Sequence, residues 1–283
     1  MILEFIEAVI THNFLLRALL TAILIGIAAG IIGTFVILRG LSLMGDAIGH
    51  AVLPGVAMSI QLGVDPVIGA TIIGLIASSI IGYVVDKSAL KKDTVIGVVF
   101  TSFFAVGIVW ISQIPTRVHV HSILFGNMLT VTPDRLVTLS WMTSGLIILV
   151  VLFYKELLLT TFDETMAQVS GMKTKIIHYA FLFVLTLVIV LSLQITGAIL
   201  IVAMIITPAA SAFLLTNRLH FMIILASLLG VISAICGIFI SFTFDISSGS
   251  SIVVVAAAIF IVAFLFAPKG ILFRVYKTKR LLD

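Results

Sequence analysis

The sequence predicts an all-α, polytopic membrane bundle of eight or nine transmembrane helices. Three observations predict it. The 283 residues are 61% hydrophobic and only 10% charged, whereas a soluble domain carries roughly 25% charged residues. Uncharged runs long enough to cross a bilayer as a helix recur along the chain. The weak alternation of a membrane β-barrel is absent, and in hydrocarbon a helix satisfies its own backbone groups.

Nine hydrophobic segments follow in order. The first, 14–38, ends at Arg39-Gly40, and 42–62 contains Asp46, His50 and Pro54-Gly55. Segments 66–85 and 94–113 are separated by Lys87, Lys91 and Lys92. After a more polar stretch come 134–154, 175–194, 197–216 with Pro208, 220–243 and 250–267. All of 1–283 is consumed by this pattern, so a single transmembrane domain is expected.

Lys and Arg orient the bundle. With nine alternating spans and the C-terminus inside, thirteen basic residues face the cytoplasm and three (Arg17, Arg117 and Arg135) face outward, the asymmetry that bacterial inner-membrane proteins show. If one segment is re-entrant, the count becomes eight and the N-terminus moves inside. The net charge of +4 is then explained by cytoplasmic lysines and arginines, and lipid, not nucleic acid, is the expected surroundings. The N-terminus lacks the basic region of a signal peptide. The one cysteine, Cys236, excludes an intramolecular disulfide.

Two connections carry information. Segment 114–133, with His119 and His121, is too polar to span and too apolar for a free loop, and is expected to lie over the outer mouth. On the inner side, Thr161-Phe162-Asp163-Glu164 fits a capping box with Thr161 as N-cap and Glu164 at the third helical position. A short amphipathic helix over 162–170, stopped by Gly171, is expected there: a docking knob or a plain surface helix.

The most informative stretch runs from Ser42 to Gly55. Asp46 and His50 are four residues apart and share a helix face. His50 lies roughly 12 Å above Ser42 at about 1.5 Å per residue, near the bilayer middle. An ionised Asp there costs about 2.5–3.5 kcal/mol on insertion scales, so it needs a partner, water or a bound cation. Carboxylate plus imidazole suits Mn, Fe or Zn. Two ligands do not close a site, but a homodimer with this helix on its axis brings four together. Gly45 and Gly49 permit close helix approach, and Pro54-Gly55 should kink or break the helix just above. The alternatives are a polar pair satisfied within one helix and a proton relay. Pro208 marks a second expected break, with Thr207 and Ser211 available to backbone groups. No phosphate-binding glycine motif and no nucleophile–base pairing occurs, so neither ATP binding nor catalysis is expected of this chain.

These residues resemble the manganese/zinc/iron permease family of bacterial ABC importers, most closely its Gram-positive manganese branch. The carriers are Arg39-Gly40, the stretch 42–55, Ile123 to Asn127, Phe162-Asp163-Glu164 to Gly171, Thr207-Pro208-Ala209-Ala210 and Gly249-Ser250-Ser251. The resemblance implies a homodimeric permease in the bacterial cell membrane, multi-pass, with a cytoplasmic C-terminus and the substrate path on the two-fold axis. It implies two copies of a cytoplasmic ATPase subunit, which hydrolyses the ATP, and an extracellular metal-binding lipoprotein or solute-binding protein. Asp46 and His50 become the metal pair in the pore. The 160–172 loop, with Phe162, Asp163, Glu164 and Gly171, becomes the coupling helix; Pro54, Gly55 and Pro208 are read as pathway or hinge residues from the helix interruptions they are expected to make. No permanent cofactor is implied. The hard Asp oxygens and the absence of thiolates favour Mn2+ over Zn2+ without deciding between them or Fe2+. A proton-coupled secondary transporter, with Asp46 and His50 as relay, is the rival class.

Overall fold

The computed structural model describes residues 2–114 and 128–271. These residues are helical apart from turns: α1 (Ile2–Thr11), α2 (Asn13–Leu38), α3 (Met44–Ala51), α4 (Leu53–Leu62), α5 (Pro66–Lys87), α6 (Lys92–Ser112), a 3-10 turn (Met128–Thr130), α7 (Pro133–Leu152), α8 (Tyr154–Phe162), α9 (Glu164–Val169), α10 (Thr174–Thr196), α11 (Ala198–Leu215), α12 (Leu219–Phe244) and α13 (Ser248–Phe266). Among the described residues, eight helices (α2, α5, α6, α7, α10, α11, α12 and α13) are long and apolar enough to cross a membrane. The outer element expected over 114–133, with His119, His121 and Ile123 to Asn127, lies largely outside the described residues. Helix α1 was not evident from the sequence.

The segment expected as one span over 42–62 is two helices that meet at Val52. At about 1.5 Å per residue they are roughly 12 and 15 Å long, so neither crosses a bilayer alone. Val52 keeps right-handed backbone angles, φ −75° and ψ −10°, so the chain is interrupted without reversing. The cause is Pro54, which has no N–H to give His50 and sits in the first turn of α4, where that loss is tolerated. Gly63, in the left-handed region at φ +67°, ends α4. Asp65 then caps α5, its carboxylate accepting from the Val67 N–H at 2.8 Å.

The chain forms two compact units. The first contains α1, α2, the 3-10 turn, most of α7 and α11, α12 and α13. Its packing relies on small residues. A Cβ on Gly26 would meet the Gly230 carbonyl carbon at 2.9 Å, and one on Gly30 would meet the Ser227 backbone at 2.5 Å. Helices α2 and α12 therefore pack backbone to backbone, as dispersion-driven packing in lipid favours. Phe5 of α1 packs edge-on to Phe239 of α12, with ring centres 5.3 Å apart. Lys269 closes the C-terminus of α11: its Nζ donates to the carbonyls of Phe213 at 2.8 Å and Thr216 at 2.9 Å.

Pro208 does not break α11, contrary to expectation; it sits inside one continuous helix. Only one backbone bond is lost, and neighbouring packing holds the turn. Ala209 and Ala212 are completely buried. The Ile205 carbonyl, one turn before Pro208, lies so close to Gly33 that a Cβ there would overlap it. Ser211 donates to the Thr207 carbonyl at 2.8 Å.

The second unit contains α3 to α6, the end of α7, α8 to α10 and the start of α11. Gly55 of α4 and Gly69 of α5 are in backbone contact, each leaving no room for a Cβ on the other. Ser59 accepts from the Gly69 N–H at 3.0 Å. On the other side of α4, a Cβ on Gly107 of α6 would come within 2.9 Å of Pro54 Cδ. The Pro54-Gly55 step is thus clamped between two glycines on neighbouring helices. Helices α5 and α10 are joined by the buried hydroxyls of Ser78 and Thr186, 3.0 Å apart.

The inner loop is more helical than expected. Thr161 is not an N-cap: α8 runs through Phe162, so Thr161 has helical backbone and its hydroxyl is taken by Arg39. Asp163, at φ −146° and ψ 86°, is the N-cap of α9 and accepts from the Met166 N–H at 2.8 Å. Glu164 is accordingly the first helical residue, not the third. Gly171 ends the helix as expected, at φ +80°. Its N–H donates to Gln168 and that of Met172 to Ala167, both at 3.0 Å, the paired bonds of a Schellman stop.

Candidate functional site

Helix α3 has eight residues, and six of them (Met44, Gly45, Ala47, Ile48, Gly49 and Ala51) are buried. The two that are not are Asp46 and His50. Their side chains are 49% and 23% exposed, and His50 Nε2 lies 3.3 Å from Asp46 Oδ1. One helical turn separates them, as the four-residue spacing requires. The pair therefore forms the one polar patch that this helix offers to the surface of its unit.

The rest of α3 fixes the direction of that patch. Gly49 faces Leu193 of α10, whose Cδ1 would be 3.3 Å from an added Cβ. Gly45 stands 4.0 Å by the same measure from Val202, at the start of α11. The glycine face thus seats α3 on its neighbours and turns Asp46 and His50 to another side. His50 rests against two aromatic rings of α6, Phe104 edge-on at 5.3 Å and Phe100 at 5.6 Å. Its Nδ1 is buried without a hydrogen-bond partner. Rings on one side and the Asp46 carboxylate on the other leave the imidazole little freedom to rotate.

Chemically, the arrangement is one hard oxygen donor beside one borderline nitrogen donor, half open. Among the described residues no three His, Cys, Asp or Glu side chains come together as a metal site; Asp46 and His50 stand as a pair. Pro54 and Gly55 lie directly above the pair in α4. Pro208 lies in the other unit. Phe100 and Phe104 were not identified from the sequence; their four-residue spacing on α6 was the available signal, indistinguishable there from ordinary apolar packing.

The inner knob is built separately. Phe162, Met166 and Val169 are exposed, while Ala167 is completely buried and holds α9 down. Asp163 and Gly171 close its two ends, as described above.

Among the described residues, eight helices long and apolar enough to cross a membrane define a multi-pass membrane protein. Residues 11–267 match the ABC 3 transport family, and the chain belongs to that family, as the membrane permease of an ABC transporter. It is 50% identical over 274 residues to the manganese transport system membrane protein MntC of Listeria monocytogenes, covering 95% of this chain and 96% of that protein. It is 50% identical to the manganese import system permease protein ScaB of Streptococcus gordonii, covering 95% and 97%. The chelated iron transport system membrane protein YfeD of Yersinia pestis is 39% identical, covering 94% and 90%. The solved structure of PsaBC from Streptococcus pneumoniae in complex with Fab superposes with a TM-score of 0.87 at 46% identity, covering 99% of this chain and all of that one.

Proposed function

We propose that this chain is the permease through which an ABC importer brings manganese into the cell, and that Asp46 and His50 from each of two copies hold the ion in passage. The observation that carries this reading is the composition of α3: every residue is buried except one carboxylate and one imidazole in mutual contact. An ionisable pair in a membrane segment is costly and faces a cavity or a partner. A two-fold assembly supplies four ligands, leaving coordination positions for water, and an incomplete shell releases its ion readily. The names of the relatives at 50% identity favour manganese over iron and zinc as cargo.

In this reading a metal-binding protein docks outside and releases the ion over the two facing α3 helices. An ATPase subunit docks on the exposed Phe162, Met166 and Val169 of each knob. Its ATP cycle moves residues 160–172 and switches the bundle between outward-open and inward-open states. Pro54 and Gly55 keep the backbone above the ligands interrupted.

The test is manganese uptake in cells that lack their own importer. Asp46→Ala is expected to reduce uptake to background while the protein remains in the membrane at its normal level. Uptake at the normal rate would remove Asp46 from the pathway. Rescue of growth by manganese salts, and not by zinc, in a deletion strain tests the cargo.

A further inference from the structure

In the transport cycle just described, the knob at 160–172 and the ligand pair on α3 must move together, yet they lie on different helices. Arg39 ties the knob to the turn that leads into α3. Arg39 follows α2 and opens the turn into α3. Its Nε donates to Thr161 Oγ1 at 3.2 Å and its Nη2 to Thr160 Oγ1 at 3.0 Å. Those threonines are the residues immediately before Phe162 and Asp163. The guanidinium also stacks 4.4 Å from the ring centre of Phe181 on α10.

The Arg39 backbone is held as well. Its carbonyl accepts from Lys92 Nζ at 3.2 Å, and Lys92 is the first residue of α6, the helix that presses Phe100 and Phe104 on His50. Beyond Arg39 the turn is short and shaped. Gly40 is left-handed at φ +64°, in open space that an added Cβ would not crowd. Leu41 is 4% exposed, and its carbonyl accepts from the Met44 N–H at 2.9 Å. Only this turn and the first residues of α3 separate Arg39 from Asp46.

We propose that Arg39 is a positioning residue that carries movement of the 160–172 knob to Asp46 and His50, so that ATP hydrolysis and metal passage stay coupled. The inference rests on the functional reading above. A planar fork with two fixed donors and a stacking face holds three groups at once, which a lysine cannot do. Burial pushes the Arg39 guanidinium down to about 10, and Glu164, the first residue of α9, opposes that shift. The group therefore stays cationic at neutral pH, and the knob contributes to keeping it so.

The experiment uses the full transporter reconstituted in vesicles: two permease copies, two ATPase subunits and manganese-loaded binding protein. Manganese ions moved per ATP hydrolysed are counted. Arg39→Met is expected to bind the ATPase subunit and hydrolyse ATP within about twofold of the unaltered complex, while ions moved per ATP fall by at least about fivefold, as loss of an allosteric coupling does. The double variant Thr160→Val with Thr161→Val keeps Arg39 and removes its acceptors. It is expected to lower the same ratio in the same direction, and it serves if Arg39→Met does not fold. A ratio within about twofold of the unaltered complex in either folded variant overturns the proposal. So does a loss of uptake matched by an equal loss of ATPase binding, because Arg39 would then only hold the knob in place. If the unaltered complex hydrolyses ATP without moving manganese, the functional reading itself fails, and the coupling proposal with it.

Discussion

The sharpest test of the knob is removal of its N-cap. Helix α9 has six residues, far below the length at which a helix is stable alone in water. Its order depends on three devices: the Asp163 carboxylate on the Met166 N–H at 2.8 Å, the Gly171 stop, and the buried Ala167. Replacing an Asp N-cap by Ala costs about 1 kcal/mol, which is about fivefold in a two-state population. A partner that binds only the ordered helix pays that factor in affinity when the free helix is marginal. Asp163→Ala should therefore weaken ATPase-subunit binding by up to about fivefold. Asp163→Asn keeps the acceptor and should stay within about twofold of the unaltered chain, because Asn caps as well as Asp. The assay is a fluorescence titration of the ATPase subunit against permease in lipid nanodiscs. Unchanged affinity in the Ala variant would refute the link between helix order and docking. Equal losses in the Ala and Asn variants would show that the charge, not the cap, is what the partner senses.

Further outcomes follow from the packing. Gly55→Ala should destabilise the chain by about 1–3 kcal/mol, the usual cost of overpacking, because its Cβ has no room against Gly69; a melting curve in detergent that matches the unaltered chain would exclude that contact. Lys269→Met should cost about 1 kcal/mol, through two freed carbonyls at the end of α11, with the loss at the lower end because the ammonium is partly in solvent; the same melts check it, and Lys269→Arg should recover most of the loss.

Much of the fold was legible because lipid imposes a simple rule: long uncharged runs must be helices. Eight of the nine expected runs are single helices within a few residues of the expected bounds. The ninth was expected to kink or break at Pro54-Gly55, and it breaks at Val52, two residues earlier, since a proline disturbs the turn before it. Gly171 was legible as a helix stop, because its left-handed backbone is natural only to glycine. Thr161 was misread because Thr161 and Asp163 are both good caps; the choice turns on where α8 ends, and Arg39, more than a hundred residues distant, takes up the Thr161 hydroxyl. Pro208 was misread as well. Its helix survives because the loss is one backbone bond in a turn packed around the completely buried Ala209 and Ala212. The contact between Asp46 and His50 was legible from their four-residue spacing, whereas the rings of Phe100 and Phe104 beside His50 were not, because nothing local distinguishes a ring that touches an imidazole from one that touches lipid.

The short rod of α3 has one more implication. It is jointed at both ends, by the left-handed Gly40 turn below and by Val52 above, and it carries both donors. Their mutual spacing is set within the rod and does not depend on where the rod points. What can vary is the gap to whatever faces it. Bonds from imidazole or carboxylate to a first-row metal are about 2.0–2.2 Å long. In the proposed two-fold assembly, a retreat of roughly half an ångström on each side would open the ligand set by about one ångström, well beyond such a bond's tolerance. In the proposed assembly, loading and unloading would then reduce to a small change of separation between two preassembled halves, with no side chain required to change rotamer.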